Sequence, residues 1–454
     1  MSVPRPVTAS STPRISPTLV WLGWIGLGGL PLLIAIFPAD AAGWVLLYLS
    51  YALLLAYPEF RRNKRITVAG IIVLSAHHLV AFVNAFVGTV VGADQDALSF
   101  HRQASETAQG NNIDSLLGTD SFVYVHFVAF FYHLFGISLF TGEELSVLGF
   151  TLSCIILLRF CALIGINHFR TGLLLLFGLS LSGLIFLSIT LRESWQVTFV
   201  LLSAYWAVRV RRRMNGVNVT FLVLSAIGLG LLHQGLAAYA IFLILASVYW
   251  GAGSGPPREI LWKRAIVVVT SAVLLVVLAT SIKQLGGASA ALASGNALEY
   301  AQNYRLHSVQ DARAAYGIAL DASTPWHFIA TLPLVLVQYM FAPFPWQIGS
   351  PLDVEAALEG LVRLVLLFTS WRAWRTSTGE VHSQIGFLLV LFLTMEFLWA
   401  LGTVNWGTAV RHHVLAYGLL VITGGYGVVT SLAKILKVIM RPILPYPYRG
   451  PSTP

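Results

Sequence analysis

Charge is scarce in this chain. Asp, Glu, Lys and Arg make up 10% of its 454 residues, against about 25% in a typical soluble protein. Hydrophobic residues make up 57%, and the mean hydropathy is +0.76. These values exclude an ordinary soluble domain. The apolar runs are long and unbroken and lack the alternation of a barrel strand, so the spans read as helices. Cysteine is nearly absent. Cys154 and Cys161 share one apolar run, seven residues apart, so about two helical turns separate them and no disulfide can join them. Both read as core packing. No HExxH or similar spacing occurs, so no cofactor is expected. A divalent ion at Asp94 and Asp96 is compatible with two carboxylates, but nothing else asks for one. No internal repeat of the kind common in transporters is visible.

What the chain does have is an orderly alternation. The net charge of +9 sits in short basic clusters between apolar runs, which is a topology signal and not a nucleic-acid footprint. Arg61 to Arg65, Arg209 to Arg213, Arg258 to Arg264, and Arg372 with Arg375 mark the inner face. Counting between them predicts an all-α integral membrane protein with about twelve spans. These are 19–37, 44–57, 66–91, 145–164, 173–191, 194–208, 219–232, 236–250, 265–283, 352–371, 385–401 and 413–432. Two further apolar segments, 121–140 and 325–346, would break the parity if they crossed. They read as juxtamembrane or re-entrant helices on the outer side, with Phe344 and Trp346 at the membrane surface. Residues 1–18 read as a disordered cytoplasmic tail without a signal peptide, 19–441 as one polytopic domain with outer loops at 92–144 and 284–351, and 442–454 as a second cytoplasmic tail. Glu143 and Glu144 are expected outside. The expected location is a bacterial inner membrane, with both termini inside.

On this count, ionisable side chains gather at the outer ends of spans: Asp94 and Asp96, Arg192 and Glu193, His233, and Asn405 through His413. Their agreement in side and depth is what a substrate path would produce. Each also has a plainer reading. Asp94 and Asp96 could cap a helix, Arg192 and Glu193 could form a structural ion pair, and His233 could be a hydrogen-bonded packing residue. Arg411, His412 and His413 could snorkel at the rim. His77 and His78, in the middle of a span, read as packing, and Glu396 is balanced between a buried hydrogen bond and a function.

Asp96-Ala97-Leu98-Ser99-Phe100, an Asp with an aromatic four residues on in the first outer loop, resembles the GT-C superfamily of membrane glycosyltransferases. So does an outer helix ending in Leu134-Phe135-Gly136. Leu191-Arg192-Glu193, then a span, a basic loop and a span ending in Leu232-His233, is similar to polysaccharide repeat-unit polymerases of the Wzy type. Gly402-Thr403-Val404-Asn405-Trp406 through Arg411-His412 resembles the late Arg-bearing rim of such polymerases. The resemblance runs from about 66 to 432. It implies a GT-C-like fold and glycosyl transfer from a polyprenyl-phosphate or -diphosphate-linked sugar, in polymerisation or transfer of units for a cell-surface polysaccharide. In such a reaction a carboxylate takes the acceptor proton and fixed cations meet the charge left on phosphate. Asp96 is the expected base, Asp94 the second choice, and His101 completes the catalytic set. Arg192, Glu193, His233, Arg305, Asn405, Arg411 and His412 are expected to bind substrate. The expected partners are the lipid-linked saccharide, the bilayer and other polysaccharide-assembly proteins. The alternative is a lipid-linked sugar flippase or secondary transporter.

Overall fold

The computed structural model describes residues 17–90, 94–110, 122–167, 169–250, 261, 264–265, 314–316, 320–321, 323–425 and 427–428. The expected span at 265–283 lies almost wholly outside the described residues, and Arg305, the 284–313 part of the long outer loop and both tails lie outside them, except that residues 17 and 18, expected in the disordered tail, open the first helix.

The described residues form helices and no strand. In chain order these are α1 (Pro17–Ile36), α2 (Ala41–Ala56), α3 (Pro58–Arg62), α4 (Lys64–Phe86), α5 (Asp94–Ala108), α6 (Phe122–Phe135), α7 (Leu139–Leu163), α8 (Arg170–Gly178), α9 (Leu181–Phe186), α10 (Glu193–Arg212), α11 (Gly216–Leu232) and α12 (Gln234–Tyr249). After the undescribed stretch come α13 (Pro325–Phe341), α14 (Pro351–Thr376), α15 (Gly379–Gly402) and α16 (Trp406–Leu420). Among the described residues, four helical stretches are long and apolar enough to cross a membrane: Pro38–Ala56, Lys64–Phe86, Leu139–Leu163 and Gly379–Gly402.

The starts follow local sequence. Asn63, Ser138, Asn215, Thr324, Ser350 and Asn405 each accept a backbone N–H of the first turn of the helix that follows, as short polar side chains do. Gly136 ends α6 in the left-handed region at φ 98°, which glycine adopts without strain. Helix α7 lies at the centre. Its most apolar window is 67% buried inside the protein, more than any other candidate span, and it packs on α2, α4 and α10.

Four expectations are corrected. Glu143 and Glu144 are not outside. The Ser138 cap, with Ser138 Oγ donating to Asp40, starts α7 at Leu139 and draws both carboxylates into the helix, fully buried. Asn84 donates to Glu143, and His78 Nδ1 lies 2.8 Å from Glu144 Oε2. The expected continuous span 173–191 is broken at Leu179-Ser180. The segment 325–346, whose Pro333, Pro343 and Pro345 read as breaks, instead forms α13 unbroken through Pro333 to Phe341. The polar stretch after Asp94 is helical to Ala108, and Ala97, Phe100 and Ala104 bury one face of it against α6.

The break between α8 and α9 explains His77. Non-helical backbone buried in a protein interior survives only where other groups satisfy its hydrogen bonds. His77 Nε2 donates to Gly178 O at 3.0 Å, and Ser188 Oγ lies 2.7 Å from Nδ1. The first turn of α9 is capped from another helix: Ser182 N donates to Glu359 Oε1 at 2.8 Å, and the Ser182 hydroxyl donates to Oε2.

Candidate functional site

Three stretches far apart in sequence meet through one guanidinium. Arg411, on α16, is held by the cap at Asn405, whose side chain accepts Thr408 N–H at 2.7 Å. A short backbone pairing anchors the same turn: Tyr316 N donates to Val404 O at 2.9 Å, and Trp406 N to Ala314 O at 3.2 Å. Trp406 Nε1 donates to Asp353 at 2.7 Å, tying α16 to α14. From this base, Arg411 Nη1 donates to Asp96 Oδ2 on α5, and its Nε lies 3.1 Å from Glu193 Oε1 at the start of α10.

The two carboxylates differ in setting. The Asp96 side chain is 57% exposed and that of Glu193 4%. One acid faces solvent and one is sealed in, with the cation between them. Arg192, beside Glu193, stands over the Phe100 ring at 5.8 Å, one helical turn along α5 from Asp96, so both Asp96 and Phe100 address the same neighbours.

A ring stack borders this group. His412 lies flat on Trp399 at 3.8 Å, and His233 meets Trp399 edge-on at 4.8 Å. His412 Nδ1 is 2.9 Å from Thr403 Oγ1. His233, in the connector between α11 and α12, accepts Gly235 N–H on Nδ1 at 2.9 Å, which leaves its proton on Nε2. Burial first, then the Arg192 and Arg411 charges, lower the His233 pKa to about 3. Its imidazole is therefore neutral at pH 7 and serves as a hydrogen-bond donor, not a cation.

The other expected site residues fall elsewhere. His101 sits five residues after Asp96 and so on a different face of α5; it turns to α6, with Nδ1 2.8 Å from Tyr132 OH. Burial lowers its pKa, which keeps it neutral as well. Asn405 spends its side chain on the cap. The backbone of Asp94 begins α5, while its side chain and all of Arg305 lie outside the described residues. Among the described residues, no group of three or more His, Cys, Asp or Glu is arranged to hold a metal ion.

Trp399 belongs to the neighbourhood and was not singled out from sequence, whereas Phe100 and Thr403 stood inside the motifs quoted there. Trp399 carried a usable signal, since it lies in the last turn of α15, which leads to Gly402-Thr403. A second set of buried polar groups lies deeper. His413 Nδ1 is 2.6 Å from Glu396 Oε2, and its Nε2 is 3.0 Å from Tyr339 O. The two ring nitrogens tie α16 to the Glu396 side chain on α15 and to the backbone of α13. No family model, curated protein or solved structure matches the chain.

Proposed function

We propose that this chain is an integral membrane glycosyltransferase of GT-C type that uses a polyprenyl-(di)phosphate-linked sugar, with the Asp96–Arg411–Glu193 group at its reaction centre on the extracytoplasmic side. The observation that carries the reading is the sharing of Arg411 between Asp96 and Glu193, three residues from distant stretches of a chain that is only 10% charged. The motifs similar to GT-C and Wzy-type proteins include all three of these residues.

The chemistry follows from residue type. Asp96 accepts the proton of the acceptor hydroxyl as its oxygen bonds to the anomeric carbon. The bond from that carbon to the donor phosphate oxygen breaks, and its electron pair stays on the phosphate. Arg411 and Arg192 offset the new charge, and a guanidinium fork suits phosphate oxygens. The arriving phosphate competes with Asp96 for Arg411, which releases the carboxylate to act as base. The neutral His233 donates from Nε2.

One observation favours the transporter reading instead. His78 with Glu144, Asn84 with Glu143, and His413 with Glu396 are buried polar pairs inside helices, and such groups often line ion or proton paths. The two readings separate in detergent. Purified protein given a polyprenyl-diphosphate-linked oligosaccharide should yield a lipid-linked product of greater mass, and Asp96→Asn should lower that yield at least 100-fold. Substrate recovered unchanged from the wild type would sink the transferase reading and leave the carrier.

A further inference from the structure

A cavity of about 610 Å³ lies between α8–α9, α14 and α16, apart from the Arg411 group. Leu175, Leu358 and Val414 are among the apolar side chains that line it, and Glu355, Glu359 and Arg363 supply polar groups along one side. Those three lie at i, i+4 and i+8 on α14, so they form a row on one helix face about two turns long. Leu358, between the first two, is 59% exposed, so the cavity opens on the outer surface of the bundle where lipid would lie.

The row is unequally satisfied. Glu359 is taken by Ser182 and stands 3.8 Å from Arg363 Nη1. Arg363 Nε donates to Met340 O at 3.2 Å. Arg363 Nη2 and Glu355 Oε1 are buried and have no hydrogen-bond partner among the described residues. Arg363 is only 3% exposed, and a buried guanidinium donor left unmatched is costly. The cavity therefore offers an N–H donor that needs an acceptor and a carboxylate oxygen that needs a donor, beside an apolar wall.

We infer that this cavity binds a lipid whose head group is an uncharged polyol. A hydroxyl both accepts and donates, so the hydroxyls of a polyol can meet Arg363 Nη2 from one end of the row and Glu355 Oε1 from the other. A phosphate head would answer Arg363 but bring a negative charge beside the Glu359 carboxylate, which already accepts from Ser182. An ammonium head would answer Glu355 and leave Arg363 unmatched, since it accepts no hydrogen bond. The volume and the apolar wall with few polar groups are those of a small-molecule site. The inference stands apart from the reading of the outer site.

The test uses the full chain in phosphatidylcholine nanodiscs and a monoacylglycerol with a diazirine in its acyl chain. Photolabelling should saturate and map to residues 172–182 and 355–363. Unlabelled monoacylglycerol should displace it at least tenfold better than lysophosphatidic acid or an alkylamine of equal chain length. Leu358→Trp, which fills the opening from an exposed position, should cut labelling at least fivefold, and Glu355→Leu should weaken displacement by monoacylglycerol about tenfold. Labelling that does not saturate means annular lipid only and overturns the proposal. So does equal displacement by the phosphate or the amine, or labelling that both variants leave unchanged.

Discussion

Arg411 is the residue on which the proposed site turns. A guanidinium can address two carboxylates through different nitrogens at fixed angles, whereas an ammonium is a point charge. Arg411→Lys should therefore keep the charge yet lose the bridge. It should lower transfer at least tenfold, and it should destabilise the fold by about 1–3 kcal/mol because buried Glu193 loses a partner; transfer assays and thermal unfolding read the two effects. His233 gives a test by pH. Its folded pKa of about 3 lies below the unfolded value near 6.5, so the unfolded chain binds the extra proton first as pH falls. Stability from this group is intact above pH 6.5 and declines towards pH 3. His233→Asn, which can still cap α12, should flatten the fall in melting temperature between pH 6.5 and 4.5 relative to wild type. An unchanged slope would mean the imidazole is not held neutral by its surroundings. Asp96, Glu193 and Arg411 were legible in the sequence because charge is so rare that each rim charge invites a reason. His101 was less legible. Its place in the chain put it near Asp96, but the helical angle between them sends it to Tyr132.

At the scale of elements, the break between α8 and α9 is the least legible feature. Residues 173–191 read as one apolar run, and nothing local forbids a continuous helix. The break is stabilised by side chains from other helices, His77 on α4 and Glu359 on α14. His77→Leu should leave Gly178 O and the Ser188 hydroxyl without these bonds in the interior, which costs about 1–3 kcal/mol; a drop in melting temperature without loss of the folded bundle would show it. Glu143 and Glu144 illustrate the same limit. A charge count treats carboxylates near a helix end as outside, whereas the Ser138 cap and the partners Asn84 and His78 allow them to be buried. By contrast, Asn63, Asn215 and Ser350 cap helices through residues only two or three positions on, a local signal that counting apolar runs and charges does not use.

For the whole molecule, hydropathy made the helical class legible. It does not decide which apolar segments cross. Among the described residues, four helical stretches are long and apolar enough by themselves, and several other helices are apolar but shorter. Sidedness is the premise that joins Asp96, Glu193 and Arg411 to a lipid-linked donor outside the cytoplasm. Ser99, half-buried on α5 between Asp96 and Phe100, is placed to report it. Both native cysteines are buried, so a new thiol there can be read against a quiet background. The most direct measurement is labelling of Ser99→Cys in intact cells by a membrane-impermeant maleimide, repeated in proteoliposomes with and without a polyprenyl-diphosphate-linked saccharide. The thiol should label from outside, and the lipid-linked saccharide should slow that labelling several-fold. Labelling only after the membrane is opened, or at a rate the saccharide does not change, would contradict an extracytoplasmic site for glycosyl transfer.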